Sequence, residues 1–104
     1  MDMEIRKQIA ATILEQLGGN KFLAMTGVKN LYCDENGSLG MKLPRCLNGI
    51  THLRIELAAD DTYTLRFFRV WADKGITELP QESGVYFDQL QEIFTEKTGL
   101  RTSL

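Results

Sequence analysis

The stretch HLRIELAADDTYTLRFFRVW, residues 52–71, contains two runs of alternating apolar and polar side chains separated by Asp60-Asp61. This alternation is typical of half-buried β-strands, and adjacent aspartates favour a turn. The stretch therefore predicts an antiparallel hairpin, with its longer strand over residues 62–71. The face predicted to meet a core consists of Leu53, Ile55, Leu57, Tyr63, Leu65, Phe67 and Trp71. The opposite face carries His52, Arg54, Glu56, Thr64, Arg66, Phe68 and Val70.

The N-terminal region predicts an amphipathic helix over residues 4–17, where apolar side chains recur at helical spacing. Gly18 follows the last of these, at a position that tolerates positive φ, so we predict Gly18 as the helix cap and Gly19-Asn20 as an exit turn. The next apolar run, residues 22–25, is short and continuous. We predict one strand with a bulge at Gly27, or two short strands.

Asn36-Gly37 lies between two apolar runs and predicts a tight hairpin turn over residues 34–37. On the return strand Leu39, Met41 and Leu43 alternate with other residues, and Pro44 ends the strand. Residues 45–49, which close with a second Asn-Gly pair, are predicted to form a loop leading into the hairpin of residues 52–71.

The C-terminal region begins with residues 72–82, whose glycine and proline predict an irregular segment. Ser83 is predicted to cap a final helix that continues to Lys97. The apolar stripe of this helix consists of Phe87, Leu90, Ile93 and Phe94. Gly99 and Leu100 are typical of a helix end in which the glycine takes positive φ and the following hydrophobe packs back on the last turn.

The predicted order is a helix, four or five strands joined by hairpins, and a helix. Strands joined by tight turns are antiparallel, and two amphipathic helices can both cover one face of such a sheet. We therefore predict a two-layer α+β sandwich with both helices on one sheet face. A chain of 104 residues, 43% hydrophobic and 25% charged, suits one domain over residues 1–104.

Composition excludes several classes of protein. The N-terminus has no long apolar run, so we expect no signal peptide, no membrane span and a cytoplasmic location. A net charge of −2 argues against a surface built entirely for nucleic acid. Cys33, Cys46 and His52 are too few and too unevenly spaced for a structural zinc site, so no metal or cofactor is expected. We interpret the cysteines as free thiols; the alternative is a disulfide between neighbouring strands.

The segment GGNKFLAMTGVKN, residues 18–30, has the glycines and lysines of a phosphate-binding loop. Such loops run from a strand into a helix, whose N-terminal end adds positive potential. This segment is predicted to run from a helix into a strand, and the G-x-x-x-x-G-K-[ST] spacing is absent. We therefore interpret it as a helix cap followed by a bulge.

Candidate catalytic groups are few. His52, the only histidine, is predicted on a strand face beside charged residues, which is typical of a surface histidine. The acidic pairs at residues 34–35 and 60–61 lie in predicted turns, where carboxylates usually bond the local backbone and do not gain the raised pKa of a general acid. No catalytic residue is predicted, and the chain is not expected to be an enzyme.

A candidate binding surface lies on the predicted open face of the sheet and consists of Lys42, Arg54, Arg66, Phe68 and Arg69. A positive strip beside an aromatic ring would suit a nucleic-acid backbone or an acidic protein. Glu56, Asp73 and Glu78 could instead neutralise these cations. Phe68 and Val70 could form a contact surface, or the 72–82 segment could fold over them.

Four stretches resemble a family of small uncharacterised proteins encoded by phages, prophages and other bacterial mobile elements. They are TILEQLGGNKFLAMTGVKNL, NGITHLRIEL, DTYTLRFFRV and GVYFDQLQEIFTEKTGLRTSL, in that order along the chain. The resemblance implies an intracellular accessory protein of a mobile element that acts on a host or element factor. The resemblance implies no enzymatic assignment and gives no catalytic residues to transfer.

Together these patterns favour a small, non-enzymatic protein-binding module. The alternative is a nucleic-acid-binding module that uses the basic strip. An enzyme ranks third and would require a deep pocket lined by His52 or a cysteine. The chain could be a monomer, or a homodimer paired through an edge strand such as residues 39–43.

Overall fold

A computed structural model describes residues 2–102 of the chain and confirms the α+β class. The helices are α1 (Met3–Leu17), α2 (Gly19–Thr26) and α3 (Leu90–Thr98). The strands are β1 (Lys29–Cys33), β2 (Leu39–Lys42), β3 (His52–Leu57), β4 (Tyr63–Trp71), β5 (Gly75–Glu78) and β6 (Glu82–Val85). Short 3-10 helices at Leu47–Gly49 and Phe87–Gln89 complete the architecture.

The sheet is antiparallel with the order β1-β2-β3-β4-β5, and β6 also pairs with β4. The nine-residue β4 accommodates both neighbours because its first half pairs with β6 and its second half with β5. Over residues 2–102 the sheet therefore has six strands, so the prediction of four or five was too low.

The β3–β4 hairpin forms as predicted. Leu53 lies opposite Phe67 and Ile55 lies opposite Leu65, so their side chains share one face. Two members of the predicted core face are instead exposed: Leu57 at 41% and Trp71 at 44%. Each is the last residue of its strand, beyond the packed centre of the sheet.

Residues 19–26 form α2, so the predicted exit turn and the strand over residues 22–25 are wrong. Phe22 and Thr26, four positions apart, are both buried, which is helical spacing. The Thr26 hydroxyl donates to the Phe22 carbonyl at 2.7 Å. Gly27 is the left-handed cap of α2 and not a bulge within a strand.

The β1–β2 hairpin turns at residues 34–37, as predicted. The Asp34 carboxylate accepts hydrogen bonds from the Asn36 and Ser38 amides, each at 2.9 Å. β1 begins only at Lys29, and its pairing with β2 is irregular between Lys29 and Tyr32.

Residues 72–82 are not irregular, because they contain β5 and the start of β6. Ser83 lies within β6 and does not cap a helix. α3 starts at Leu90, and Phe87, assigned to the apolar stripe from the sequence, is 61% exposed in the preceding 3-10 helix. Gly99 ends α3 in the left-handed conformation, as predicted.

A single core cluster contains side chains from all three helices and from the inward face of the strands. Among its fully buried members are Ile13, Leu17, Phe22, Met41, Leu53, Ile55, Leu65, Leu90 and Phe94. The rings of Phe22 and Phe94 meet edge to face with centroids 5.0 Å apart. The opposite strand face stays partly exposed, and we call it the open face.

Candidate functional site

Two rows of residues cross the open face, because directly paired residues of antiparallel strands project to the same side. The first row runs through Tyr32, Gly40, Arg54 and Arg66. The second row runs through Lys29, Lys42, His52, Phe68 and Glu78. The structure therefore brings four of the five predicted binding residues, Lys42, Arg54, Arg66 and Phe68, onto one face.

Phe68 lies beneath two arginines. The guanidinium carbon of Arg54 is 5.5 Å from the centroid of the Phe68 ring, and that of Arg66 is 5.6 Å away. Both distances fall within the range of cation–π attraction. Since Arg54 and Arg66 are also direct cross-strand partners, the ring face helps to accommodate two like charges side by side.

Arg66 is neutralised by acidic neighbours. Its Nε donates to the Glu78 carboxylate at 2.7 Å, and its Nη1 lies 3.6 Å from a Glu56 carboxylate oxygen. The hydrogen bond from Arg66 lowers the pKa of Glu78 from its usual range. Two of the three acids expected to offset the strip therefore do so, while Asp73 forms no ion pair with residues 2–102.

Arg54 and Lys42 have no ion-pair partner within the described residues. Arg54 is half-buried, and its Nε is shielded from solvent without a hydrogen-bond acceptor there. Because Nε is already shielded, an added acceptor would have to reach the terminal N–H groups of the guanidinium. Arg54 and Lys42 are thus the two cations among these residues with unused hydrogen-bond donors.

Tyr32 lies flat across β2 because its cross-strand partner is Gly40. A Cβ atom built at Gly40 would be 2.0 Å from Cζ of Tyr32, so any larger residue would displace the ring. Glycine at this position therefore keeps the aromatic ring against the open face, in the same row as Arg54.

A groove of about 190 Å³ opens on this face. Its lining includes Tyr32, His52, Arg54, Phe68, Val70 and Ile76. Ile76 in β5 lies directly opposite Val70 in β4 and is 70% exposed. The 72–82 segment therefore extends the open face as an added strand, and the alternative that it covers Phe68 is wrong.

Arg69 does not join the strip. It follows Phe68 in β4, so its side chain projects to the other side of the sheet. Its Nε donates to the Asn48 carbonyl at 2.7 Å, and it lines a separate cavity with Phe67 and Lys97. Arg69 therefore braces the loop before β3 and is not part of the open face.

Within residues 2–102, His52 contacts the Thr51 hydroxyl, which also donates to the Phe68 carbonyl at 3.3 Å and accepts from the Val70 amide at 2.8 Å. The Nδ1 of His52 lies 2.8 Å from the Thr51 hydroxyl. Burial, and then the Lys42 ammonium, lower the pKa of His52, so the imidazole is held neutral. The neutral His52 imidazole lies beside Phe68 and adds a second uncharged aromatic ring to the open face.

The cysteines are free thiols. The Cys46 thiol donates to the Ile50 carbonyl at 3.3 Å, and burial raises its pKa, which disfavours the reactive thiolate. The Thr62 hydroxyl donates to Asp60 at 2.6 Å and lowers the pKa of that carboxyl, opposite to the shift that a general acid needs. Among residues 2–102, no three His, Cys, Asp or Glu side chains cluster as metal ligands.

Comparison with known proteins found no match among protein-family models, curated proteins or solved structures. No helix within residues 2–102 has the length and apolar character needed to cross a membrane.

Sequence reasoning did not assign Tyr32 and Ile76 to the site. Each reaches the groove through pairing of its strand, Tyr32 across Gly40 and Ile76 across Val70. The one sequence signal for Tyr32 was Gly40 within β2, since a glycine in a strand often marks a close approach by another group.

Proposed function

We propose that this chain is a non-enzymatic protein-binding module whose contact surface is the open face. The observation that carries the proposal is an exposed apolar centre surrounded by charged side chains. Tyr32, Val70 and Ile76 are 48%, 39% and 70% exposed around the Phe68 ring. Clustered exposed hydrophobes with a polar rim are typical of protein interfaces, and aromatic residues and arginine are enriched there.

A nucleic-acid-binding module is the second candidate, supported by the unpaired cations Lys42 and Arg54. The charge of the face favours the first candidate. Lys29, Lys42, Arg54 and Arg66 supply four positive charges, and Glu56 and Glu78 supply two negative ones, which leaves a net charge of +2. Affinity for phosphate backbones grows with the number of cations engaged, and the two carboxylates offset half of them here.

The proposal extends to an accessory role in a phage or other mobile element, acting in the bacterial cytoplasm on a host or element protein. This part is supported only by the resemblance of the four quoted stretches. It indicates that a bacterial host lysate is the appropriate source of the partner protein.

The test is affinity purification from such a lysate with the wild-type chain, Ile76→Ser and Phe87→Ser. Ile76 and Phe87 are both exposed, but only Ile76 lines the groove, so the second variant is the matched control. We expect a specific protein that is retained by wild type and Phe87→Ser and lost from Ile76→Ser. Repeated purifications at modest salt that return nothing above background, or a partner indifferent to Ile76, would contradict the proposal.

The second candidate is tested by titrating single- and double-stranded oligonucleotides at two salt concentrations. Phosphate contacts release counterions, so genuine binding must weaken steeply as salt rises. Absence of binding at low salt would eliminate the nucleic-acid module. Binding that disappears in a Lys42→Gln, Arg54→Gln double variant would favour it over the protein module.

A further inference from the structure

The groove on the open face has two chemically different ends. One end contains Arg54, whose guanidinium lies over Phe68 and forms no ion pair with the described residues. The other end contains Val70 and Ile76, which are apolar and exposed. A ligand that fills the whole groove therefore has to present a hydrogen-bond acceptor and an apolar group together.

The acceptor that fits Arg54 is a carboxylate. A guanidinium forms its strongest hydrogen bonds with planar anions, and those bonds are charge-assisted. The Phe68 ring holds the guanidinium from one side and makes no hydrogen bond with its N–H groups. The nearby Glu78 carboxylate accepts its hydrogen bond from Arg66, so it does not satisfy the Arg54 Nε.

The spacing of the two ends matches an extended peptide. Phe68 and Val70 are two residues apart on β4, which corresponds to about 6.6 Å along a strand. Side chains two positions apart in an extended segment project to the same side at the same separation. An acidic residue and a large apolar residue at such positions would reach Arg54 and the Val70–Ile76 end at the same time.

Charge favours a different protein over a second copy of this chain as the occupant. The open face carries a net charge of +2, whereas the whole chain carries −2, so the face is locally positive on an acidic protein. Two copies meeting face to face would oppose like charges, and an acidic partner would meet complementary ones. A nucleic acid would supply phosphates but no aliphatic group for Ile76.

We propose that the groove recognises an extended segment of a partner protein in which an aspartate or glutamate lies two positions from a large apolar residue. The carboxylate binds the Arg54 guanidinium above Phe68, and the apolar side chain packs on Val70 and Ile76. Tyr32, held across Gly40, forms the wall beside Arg54. This inference rests on the protein-binding function proposed above and specifies the chemistry of the partner.

The test is selection of a phage-displayed library of random 12-residue peptides on the full-length chain, on Arg54→Gln and on Arg45→Gln. Arg45 is an exposed arginine outside the groove and serves as the control. Wild type and Arg45→Gln are expected to enrich peptides with an acid two positions from a large apolar residue. Arg54→Gln is expected to keep the apolar preference and lose the acidic one.

A fluorescently labelled peptide chosen by the wild type is expected to bind Arg54→Gln about tenfold more weakly, the effect of losing one charge-assisted hydrogen bond. Equal thermal midpoints of the three proteins establish that Arg54→Gln remains folded. Apolar enrichment without acids, or acids retained on Arg54→Gln, would overturn the inference while leaving the protein-binding function in place. No enrichment together with an empty lysate purification would overturn both.

A second copy of this chain is the competing occupant of the groove, and it is tested by measuring the oligomeric state. Sedimentation equilibrium over a range of protein concentrations is expected to show no dimer that depends on Arg54 or Ile76. A dimer that dissociates in both Arg54→Gln and Ile76→Ser would assign the groove to a second copy of the chain, and the inference would be wrong.

Discussion

Gly18 joins α1 to α2 at φ 126°, a conformation that other residues rarely adopt. A Cβ atom there would also lie 3.2 Å from Nε2 of Gln91, which donates to the last carbonyl of α1, that of Leu17, at 2.8 Å. Gly19 also has positive φ, but a Cβ atom there would meet nothing within 4 Å. Gly18 therefore combines the more strained backbone conformation with crowding, whereas Gly19 has the milder left-handed conformation and no crowding.

We expect Gly18→Ala to lower the free energy of unfolding by about 2–3 kcal/mol and Gly19→Ala by about 1 kcal/mol. Valine at position 18 should cost more than alanine because its branched side chain meets Gln91 and Phe22. Urea unfolding monitored by circular dichroism measures all three variants. Equal losses for Gly18→Ala and Gly19→Ala would show that crowding against α3 contributes nothing.

Gly40 offers a residue-scale test of the groove that leaves the fold intact. The atoms that a Cβ at Gly40 would strike belong to the far end of the Tyr32 ring, which is half exposed and free to rotate away. Alanine also suits a strand interior better than glycine by about 0.5–1 kcal/mol. We therefore expect Gly40→Ala to keep or slightly raise stability while moving the Tyr32 ring out of the groove.

The ring position is measured by nuclear Overhauser contacts between the Tyr32 ring and the Gly40 Hα protons, and their loss in Gly40→Ala is the expected result. Peptide binding should weaken in the same variant. A large drop in the thermal midpoint would instead mean that Tyr32 is fixed by packing that its exposure does not reveal.

At the scale of elements, the hairpin of β3 and β4 could be predicted because its side chains alternate strictly between a buried and an open face. α2 could not, because residues 22–25 are apolar without a period, and such a short run fits a strand or a helix equally. The decisive features are the buried pair Phe22 and Thr26 and the cap at Gly27, which only the tertiary contacts make visible. β5 is exposed at every position, so its burial pattern contains no strand signal, and β4 specifies it through pairing.

The contact between α2 and α3 depends on Phe22 and Phe94, both fully buried. We expect Phe22→Ala to lower the free energy of unfolding by about 3–5 kcal/mol, since it removes a buried ring and leaves a cavity. Such a loss is a large share of the stability of a domain this size, about 5–15 kcal/mol.

The exposed Phe87 provides the matched control, and Phe87→Ala should change stability by less than about 0.5 kcal/mol. Denaturant unfolding of both variants measures the difference. A cost for Phe87→Ala comparable to that of Phe22→Ala would restore Phe87 to the apolar stripe of α3, where the sequence pattern alone placed it.

At the scale of the whole molecule, strand alternation placed Arg54, Arg66 and Phe68 on one face, but the groove itself depends on the order of the strands. Tyr32 reaches it from β1 and Ile76 from β5, on opposite sides of the β3–β4 hairpin. No local pattern fixes which strands become neighbours, so these two residues were not predicted. The assignment of Arg69 to the open face from the sequence was wrong. Arg69 directly follows Phe68 in β4, so the two side chains project to opposite sides of the sheet.

Among residues 2–102, three ionisable side chains have pKa values that folding lowers. Burial, and then the Lys42 ammonium, lower that of His52; the Thr62 hydroxyl lowers that of Asp60; and Arg66 lowers that of Glu78. In each case the unfolded chain takes up its proton at a higher pH than the folded chain. The stability that these groups contribute is therefore complete above their ordinary pKa values and is lost as the pH falls through the lowered ones.

We accordingly expect the free energy of unfolding to decrease steadily from about pH 7 to about pH 3, first over the histidine range and then over the carboxylate range. His52→Gln should flatten only the part of the stability–pH curve nearest neutrality, because glutamine does not titrate. Glu78→Gln should flatten only the acidic part and leave the Arg66–Glu56 contact in place. Urea unfolding at a series of pH values measures each curve. Stability that stays level between neutrality and the carboxylate range in the wild type would show that His52 titrates normally, and the neutral imidazole beside Phe68 would then be wrong.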